Sequence, residues 1–151
     1  MSAATRLLGV DYGDVRVGLA VSDPDRKIAF PLATYERQGR DRDAEYFRAL
    51  AREEQVGALV VGLPVHLSGR EGEKAKAARA FGLWLGEVTG LPVAYWDERF
   101  TTAEAEAALW AAGLTHKKRK ARRDRVAAQI LLQAYLDAGR PETTGAGPLE
   151  G

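Results

Sequence analysis

Residues 7–23 read LLGVDYGDVRVGLAVSD, and their pattern decides the predicted fold. Residues 7–10 and 17–21 are apolar runs with the length of a β-strand. Gly13-Asp14 lies between the two runs, and because both residue types tolerate a positive φ, we expect a tight turn there. The segment therefore predicts two adjacent antiparallel strands, the first of which is interrupted by a charged residue, Asp11.

The remainder of the chain alternates between extended and helical patterns. Short apolar runs bounded by Gly and Pro predict strands, and apolar residues at helical spacing in charged segments predict helices. The further predicted strands are residues 28–34, 58–64 and 91–96, and the predicted helices are residues 41–55, 73–89 and 101–112 and a last helix that Asp124 opens. These elements predict an α/β fold, in which a mixed sheet of three antiparallel strands followed by parallel strands carries helices on both faces.

Length and composition limit the class of protein. The chain has 151 residues, about one domain, and we expect a single domain over residues 1–138. Residues 139–151 are rich in Gly, Pro and Thr and have little to bury, so they predict a flexible tail. The absence of cysteine excludes disulfides and thiol chemistry and fits a cytoplasmic protein. No apolar run approaches the ~18 residues of a membrane span, so we expect no membrane partner.

One segment near the end of the chain concentrates positive charge. Lys and Arg total 22 against 21 Asp and Glu, so the net charge itself indicates no polyanionic partner. A cluster of basic residues nevertheless surrounds a single acid, Asp124, in what we expect to be an exposed loop before the last helix; its members are Lys117, Lys118, Arg119, Lys120, Arg122, Arg123 and Arg125. Such a basic segment is suited to binding nucleic-acid phosphates, although an ordinary solvated surface would have the same composition.

Three acidic positions coincide with the ends of predicted elements. Asp11 interrupts the first strand, Glu98 or its neighbour Asp97 ends a buried strand, and Asp124 opens the last helix. Each acid taken alone has a structural explanation as a turn or helix-cap residue. Together they predict a site at the carboxyl edge of the sheet, where converging carboxylates repel one another unless a cation lies between them. Hard oxygen ligands of this kind favour Mg²⁺ or Mn²⁺.

Four segments of the chain resemble the signature segments of one known family. This is the YqgF/RuvX family of pre-16S rRNA nucleases, which are also described as Holliday junction resolvases. The matching segments keep the family's order between residues 7 and 137; they read LLGVDYGDVRVGLAVSD, VVGLPVHLSGREG, DERFTTAEAEAAL and RRDRVAAQILLQAYLD. The resemblance implies a ribonuclease H-like fold and a metal-dependent nuclease, whose catalytic and metal-binding acids are Asp11, Glu98 and Asp124.

Physical principles then indicate how such a nuclease would act. Two metal ions, with Asp11 as the bridging ligand, would activate a water and stabilise an in-line displacement at a phosphodiester. Arg16, Arg99 and the basic segment that begins at Lys117 and Lys118 would bind neighbouring phosphates without reading the bases. The implied partner is a precursor rRNA, processed at the 5′ end of 16S rRNA, or a branched DNA. A homodimer is left open.

Two interpretations from other classes remain. The segment GVDYGDVRVGLAV also resembles the first phosphate loop of the actin, sugar kinase and Hsp70 ATPases, but those proteins need a second such domain to enclose ATP. The other interpretation is an RNA-binding ribosome-assembly factor that performs no catalysis. The retention of all three acids argues against this second interpretation.

Overall fold

The computed structural model describes residues 5–64, 69–98 and 116–139, and over residues 116–123 it describes the backbone alone. Within these ranges there are five strands and three helices. In chain order they are β1 (Arg6–Asp11), β2 (Arg16–Ser22), β3 (Ala29–Glu36), α1 (Arg40–Glu53), β4 (Val56–Leu63), α2 (Glu73–Thr89), β5 (Val93–Asp97) and α3 (His116–Asp137). Every predicted strand is present, with ends shifted by only a few residues.

The strands form one mixed sheet in the order β3-β2-β1-β4-β5. β1 pairs with β2 and β2 with β3 in antiparallel fashion, whereas β1 pairs with β4 and β4 with β5 in parallel. The parallel connections run through α1 and α2, as crossover connections between parallel strands require. The predicted α/β fold, with three antiparallel strands followed by parallel ones, is confirmed.

Each face of the sheet is covered by different helices. α1 and α2 pack on one face, and the core residues there include Leu8, Val10, Phe47, Leu59 and Leu85. α3 packs on the other face, and the core residues there include Leu7, Val60, Ala128, Leu131 and Leu132. Because side chains alternate along a strand, Asp11 follows Leu7 onto the face that α3 covers.

The connection between β1 and β2 differs from the predicted turn. Residues 12–15 form it, and neither Gly13 nor Asp14 has a positive φ, so the expected reason for these residues was wrong. The requirement at Gly13 is for space instead. A Cβ at Gly13 would lie only 2.5 Å from the carbonyl oxygen of Arg16. The tight turn after Asp11 therefore requires the absence of a side chain at Gly13, and it does not require a left-handed backbone conformation.

α3 approaches the sheet unusually closely at two glycines. A Cβ at Gly9 in β1 would lie 2.9 Å from the Cβ of Leu132, and a Cβ at Gly18 in β2 would overlap the backbone of Asp124. Gly18 is also the residue that pairs with Asp11 across the β1–β2 ladder. The two glycines therefore place the Asp124 turn of α3 directly over the strand end that carries Asp11.

The start of α3 was predicted wrongly. The helix begins at His116, so Asp124 lies within it and does not open it, and the basic segment is helical and not a loop. Lys, Arg and Ala are good helix formers, and no Gly or Pro interrupts the sequence from Lys117 to Asp137. The helix propensity of these residues therefore outweighs the repulsion among their positive charges.

Other predictions fall beyond the described ranges. The predicted helix over residues 101–112, the tail from residue 140 onward and Arg99 lie outside the residues that the structure describes, and the single-domain boundary at residue 138 stays a prediction. Among the residues that are described, no helix has the length and apolar character needed to cross a membrane.

A buried carboxylate links β3 to the start of α1. Asp43 is fully buried and accepts hydrogen bonds from the hydroxyl of Tyr35 (2.6 Å), the backbone N–H of Gln38 (2.9 Å) and Nε of Arg37 (3.3 Å). Burial acts to raise the pKa of Asp43, but these hydrogen bonds and the charge of Arg37 outweigh it and hold the pKa below its usual value. Burial and the bond to Asp43 raise the pKa of Tyr35 to about 12.

The lowered pKa of Asp43 gives a pH dependence whose sign is defined. Stability from this group is present above the unfolded pKa of ~3.9 and is lost as the pH falls toward the lower folded value. We expect Asp43→Asn to cost roughly 1–3 kcal/mol at pH 7, and to flatten the loss of stability below about pH 4. Urea unfolding between pH 3 and 7 measures both effects. The exposed Asp41 of the same helix turn supplies the control, Asp41→Asn, and equal acid slopes in all three proteins would contradict the assignment.

Candidate active site

A cleft of about 260 Å³ opens at the carboxyl end of β1. Its lining residues come from the end of β1, the β1–β2 connection, the ends of β4 and β5, and the first turns of α2; among them are Asp11, Tyr12, Asp14, Lys74 and Glu98. The carboxyl ends of parallel strands are the usual position of sites in α/β sheets. The cleft therefore occupies the edge at which the sequence predicts a site.

Asp11 and Glu98 meet in this cleft. Glu98 directly follows β5, and a side-chain hydrogen bond joins its carboxyl group to that of Asp11. Gly62 in β4 provides the space, because a Cβ there would overlap the Glu98 carboxylate. The missing side chain in β4, the strand between β1 and β5, thus lets the carboxyl groups of Asp11 and Glu98 come into contact.

The electrostatics of this pair are unfavourable without a proton or a cation. Burial raises the pKa of Asp11 well above its usual value, and the negative charges of Glu98 and Asp124 raise it further. Burial likewise raises the pKa of Glu98, the hydrogen bond from Asp11 lowers it, and the charge of Asp97 raises it. Burial and the neighbouring negative charges disfavour a state in which both carboxylates are ionised. The site therefore concentrates more negative charge than the surrounding protein compensates.

Asp124 lies next to the pair but is turned toward a cation of the chain itself. Its Oδ2 is 3.1 Å from Nε of Arg16, and both side chains are partly exposed. Its charge still contributes to the raised pKa of Asp11, so the three acids share one electrostatic environment. In this conformation, the described residues include no group of three or more His, Cys, Asp or Glu arranged to hold a metal ion.

The strand register separates Glu98 from Asp97. Val93 and Tyr95 belong to the core beneath α1 and α2, whereas Trp96 packs against the core beneath α3. By the same alternation Asp97, the last residue of β5, is directed to the first of these faces, and its side chain is buried. Glu98 reaches the α3 face, to which Asp11 also belongs. The geometry thus favours Glu98 as the partner of Asp11.

The donor set suits a hard divalent cation. Carboxylate oxygens are the ligands that Mg²⁺ and Mn²⁺ prefer, and two of them already touch in the partly buried Asp11–Glu98 pair. A dication would offset the repulsion that otherwise raises the pKa of Asp11. Asp124, whose charge acts on Asp11, is the third candidate ligand. The residues present therefore fit a divalent metal site.

The structure describes the side chains of only some of the predicted phosphate-binding residues. Arg16 lies at the site, where it pairs with Asp124. The side chains of Lys117, Lys118, Arg119, Lys120 and Arg122 lie outside what the structure describes, although their backbone is the first part of α3. Lys74, which lines the cleft, was missed, because a lysine in the first turn of a charged helix carries no signal in a single sequence.

Comparison with known proteins identifies the family. A family model described as "RuvX: Holliday junction resolvase" matches residues 5–138. The chain belongs to the RuvX family. This family comprises nucleases, which hydrolyse phosphodiester bonds, and the predicted enzyme class is confirmed at that level.

Individual relatives of the RuvX chain cover most of its length. A Rhodopirellula baltica protein named "Putative pre-16S rRNA nuclease" is 49% identical over 138 residues, which are 91% of this chain and 80% of that protein. An Agrobacterium fabrum protein of the same name is 41% identical and covers 91% of this chain and 86% of its own. The structure titled "T. thermophilus RuvC in complex with Holliday junction substrate" superposes with a TM-score of 0.57 at 18% identity, covering 93% of this chain and 98% of that one. The likeness to RuvC confirms the ribonuclease H-like fold.

In the absence of metal, repulsion among the acids of the site should lower the stability of the folded protein. In a neutral buffer with a chelator, Asp11→Asn should raise the free energy of unfolding by the order of 1 kcal/mol, because the amide removes a desolvated charge beside Glu98. Denaturant unfolding measures the difference. Asp14→Asn is the matched control, since Asp14 is exposed at the same cleft and should stay within about 0.5 kcal/mol of the wild type. A clear loss of stability in Asp11→Asn would contradict the electrostatic account.

Proposed function

We propose that this chain is a divalent-metal-dependent endonuclease that cleaves structured RNA, and that its substrate is a precursor of 16S rRNA processed at the 5′ end. The observation that carries the proposal is the contact between the partly buried carboxyl groups of Asp11 and Glu98, with the backbone of Asp124 packed against Gly18, the residue that pairs with Asp11. The names of relatives that are 40–49% identical support the choice of substrate.

A second substrate has its own support. The matching family model is described as a Holliday junction resolvase, and the RuvC structure with a similar fold holds such a junction. Both candidate substrates are phosphodiesters cleaved by the same chemistry, so the acids cannot distinguish them. Branched DNA is therefore the alternative that the cleavage experiment below includes.

The proposed cofactor is Mg²⁺ or Mn²⁺, held as two ions by Asp11, Glu98 and Asp124. When bound, the ions would stabilise the charge that develops on the attacking and leaving oxygens of the phosphodiester. Asp11 is on β1, between Gly18 of β2, where Asp124 packs, and Gly62 of β4, where Glu98 packs, and it is the proposed shared ligand. No Ser, Cys or Tyr nucleophile is required by this chemistry.

The chain's own residues have distinct tasks in this proposal. Asp11 and Glu98 are held against each other by β1 and β5, so their positions are fixed before substrate arrives. Arg16 forms an ion pair with Asp124 in this structure. Once the carboxylate of Asp124 turns toward the other two acids, the guanidinium of Arg16 becomes available to a phosphate oxygen. Lys74 at the cleft adds a further positive charge on the α2 side. The basic segment of α3 would hold the more distant phosphates.

The acids are tested by cleavage of single-stranded RNA, duplex RNA and a four-way DNA junction side by side, with Mn²⁺ or Mg²⁺. We expect Asp11→Asn to lose metal-dependent cleavage by at least about a hundredfold, since it removes the shared ligand, while substrate affinity stays within a few-fold because the positive residues are unchanged. Asp14→Asn should cleave as the wild type does. Full activity of Asp11→Asn would refute the assignment, and absence of cleavage by the wild type would favour a non-catalytic assembly factor.

The neighbouring acids of β5 are separated in the same assay. Glu98→Gln should be inactive, because Glu98 contacts Asp11 on the α3 face. Asp97→Asn should retain activity after allowance for any loss of stability, which thermal unfolding of the same samples reports. The reverse order of activities would assign the metal to Asp97.

The basic segment is tested by the salt dependence of binding. Each lysine that contacts a phosphate contributes roughly −0.7 to the slope of log K against log salt for a single strand and −0.9 for duplex DNA. Lys117→Ala with Lys118→Ala should therefore flatten the slope by up to about 1.4 or 1.8 respectively. Alanine preserves helix propensity, so α3 should persist and the circular dichroism should not change. An unchanged slope would make these two lysines ordinary solvated surface.

A further inference from the structure

A second groove, of about 450 Å³, adjoins the candidate active site. We call it the aromatic groove, and besides two alanines of α2 it is lined by Tyr12, Arg37, Arg40, Phe81 and Trp84. Tyr12 and Ala77 line both this groove and the cleft of Asp11 and Glu98, so the two depressions are neighbours. A strand held in the cleft could therefore extend past Tyr12 to the aromatic groove.

The floor of the aromatic groove is a row of rings. The centroids of Tyr12 and Phe81 are 4.7 Å apart with planes inclined by 37°, and those of Phe81 and Trp84 are 5.6 Å apart with planes inclined by 34°. Phe81 is buried, whereas Tyr12 and Trp84 are partly exposed at the two ends of the row. Partly exposed rings in a row of this kind are a stacking surface for nucleobases, all of which present a flat π face.

The charge of the aromatic groove is of the opposite sign to that of the cleft. Arg37 and Arg40 are its charged lining residues, and none of the described residues that line it is acidic. The cleft, by contrast, is lined by Asp11, Asp14 and Glu98. The charge of Arg37 is partly compensated by the buried Asp43, whereas Arg40 is exposed. The combination of rings with an exposed positive charge suits an anionic ligand that has an aromatic part.

Arg37 is fixed in place before any ligand binds. Its Nε donates to Asp43 at 3.3 Å and its Nη1 donates to the hydroxyl of Tyr12 at 3.1 Å. The guanidinium carbon lies 5.5 Å from the centroid of the Tyr12 ring and 5.1 Å from that of Phe81. Since little side-chain freedom is left to lose, a planar guanidinium held in this way is a ready stacking partner for a base.

A third depression of the molecule shows what distinguishes this groove. A pocket of about 490 Å³ at the opposite end of the sheet also carries two arginines, Arg48 and Arg52, but none of the described residues that line it is aromatic. It offers positive charge without a stacking surface and lies far along the strands from Asp11. The aromatic groove alone, among the depressions described here, joins rings, positive charge and contact with the acids.

We propose that the aromatic groove binds one unpaired nucleotide of the substrate, next in the strand to the phosphodiester held at Asp11 and Glu98. The base stacks against the row from Tyr12 to Trp84, and its phosphate lies near Arg40, the exposed first residue of α1. A paired base is stacked within its helix and cannot enter. The inference rests on the proposed function and adds that the nuclease selects strands with a single-stranded nucleotide beside the cleavage position.

Binding of two matched substrates in a chelator, where no cleavage occurs, tests the groove. One is a fluorescently labelled blunt RNA duplex, and the other is the same duplex with a short single-stranded extension whose first base is 2-aminopurine. We expect Trp84→Leu and Arg40→Gln each to weaken binding of the extended substrate by roughly 5- to 20-fold, and to leave blunt-duplex binding within about twofold. The 2-aminopurine fluorescence should be quenched by the wild type and not by Trp84→Leu.

Two control variants separate stacking and local charge from general effects. Trp84→Phe keeps a ring and should retain extended-substrate binding within about threefold, and Arg42→Gln removes an exposed arginine of α1 that does not line the groove and should change neither substrate. If Trp84→Leu unfolds, Arg40→Gln decides the outcome, because Arg40 is exposed and its loss should not affect folding.

The outcomes distinguish this inference from the proposed function. Equal effects of Trp84→Leu and Arg40→Gln on the blunt and extended substrates, or no effect on either, would overturn the groove while metal-dependent cleavage still upheld the nuclease. A wild-type protein that bound no nucleic acid of either form would overturn both. Selective weakening of the extended substrate together with intact cleavage chemistry is the expected result.

Discussion

Contact between α3 and the β1–β2 pair is the constraint on which the site depends. Gly9 and Gly18 leave no side chain between helix and sheet, so Leu131 and Leu132 can bury fully and hold the helix there. Burial of such a side chain stabilises by ~1.5–3 kcal/mol, enough to keep the helix seated despite its charged first half. A larger residue at Gly18 would push Asp124 away from Asp11 and break its pairing with Arg16.

The two faces of the sheet serve different ends. The face beneath α1 and α2 holds the larger apolar cluster and the buried Asp43 network, in which each polar group has a partner. The face beneath α3 ends in the Asp11–Glu98 pair, whose mutual repulsion opposes folding. The polar groups of the Asp43 network are all hydrogen-bonded, whereas the carboxyl groups on the second face repel one another. Such a contrast is expected in a protein whose functional site is less stable than the rest of its fold.

Periodicity was sufficient to predict the sheet, because apolar runs and helical stripes reflect which face each residue buries. It did not predict how Gly13 is used, since a glycine required for close approach looks the same in sequence as one required for its φ. Nor could it choose between Asp97 and Glu98, because a shift of one residue in the end of β5 exchanges the faces. The pairing of Arg16 with Asp124 joins residues 108 positions apart and has no local signal. Asp11 was the clearest of the acids, because a charge in an apolar strand is conspicuous.

The uninterrupted course of α3 gives the protein a fixed internal length. From Lys117 to Asp124 the helix axis advances by about 10 Å at ~1.5 Å per residue. Successive phosphates of one strand are separated by about 3.4 Å along a duplex axis, so this length corresponds to roughly three nucleotides. Had the basic segment been a loop, that interval would vary with each encounter. If the proposed function holds, this one helix packed on Gly18 would keep a fixed distance between phosphates bound at the basic segment and the proposed cleavage position, and the cleavage product would have a defined end.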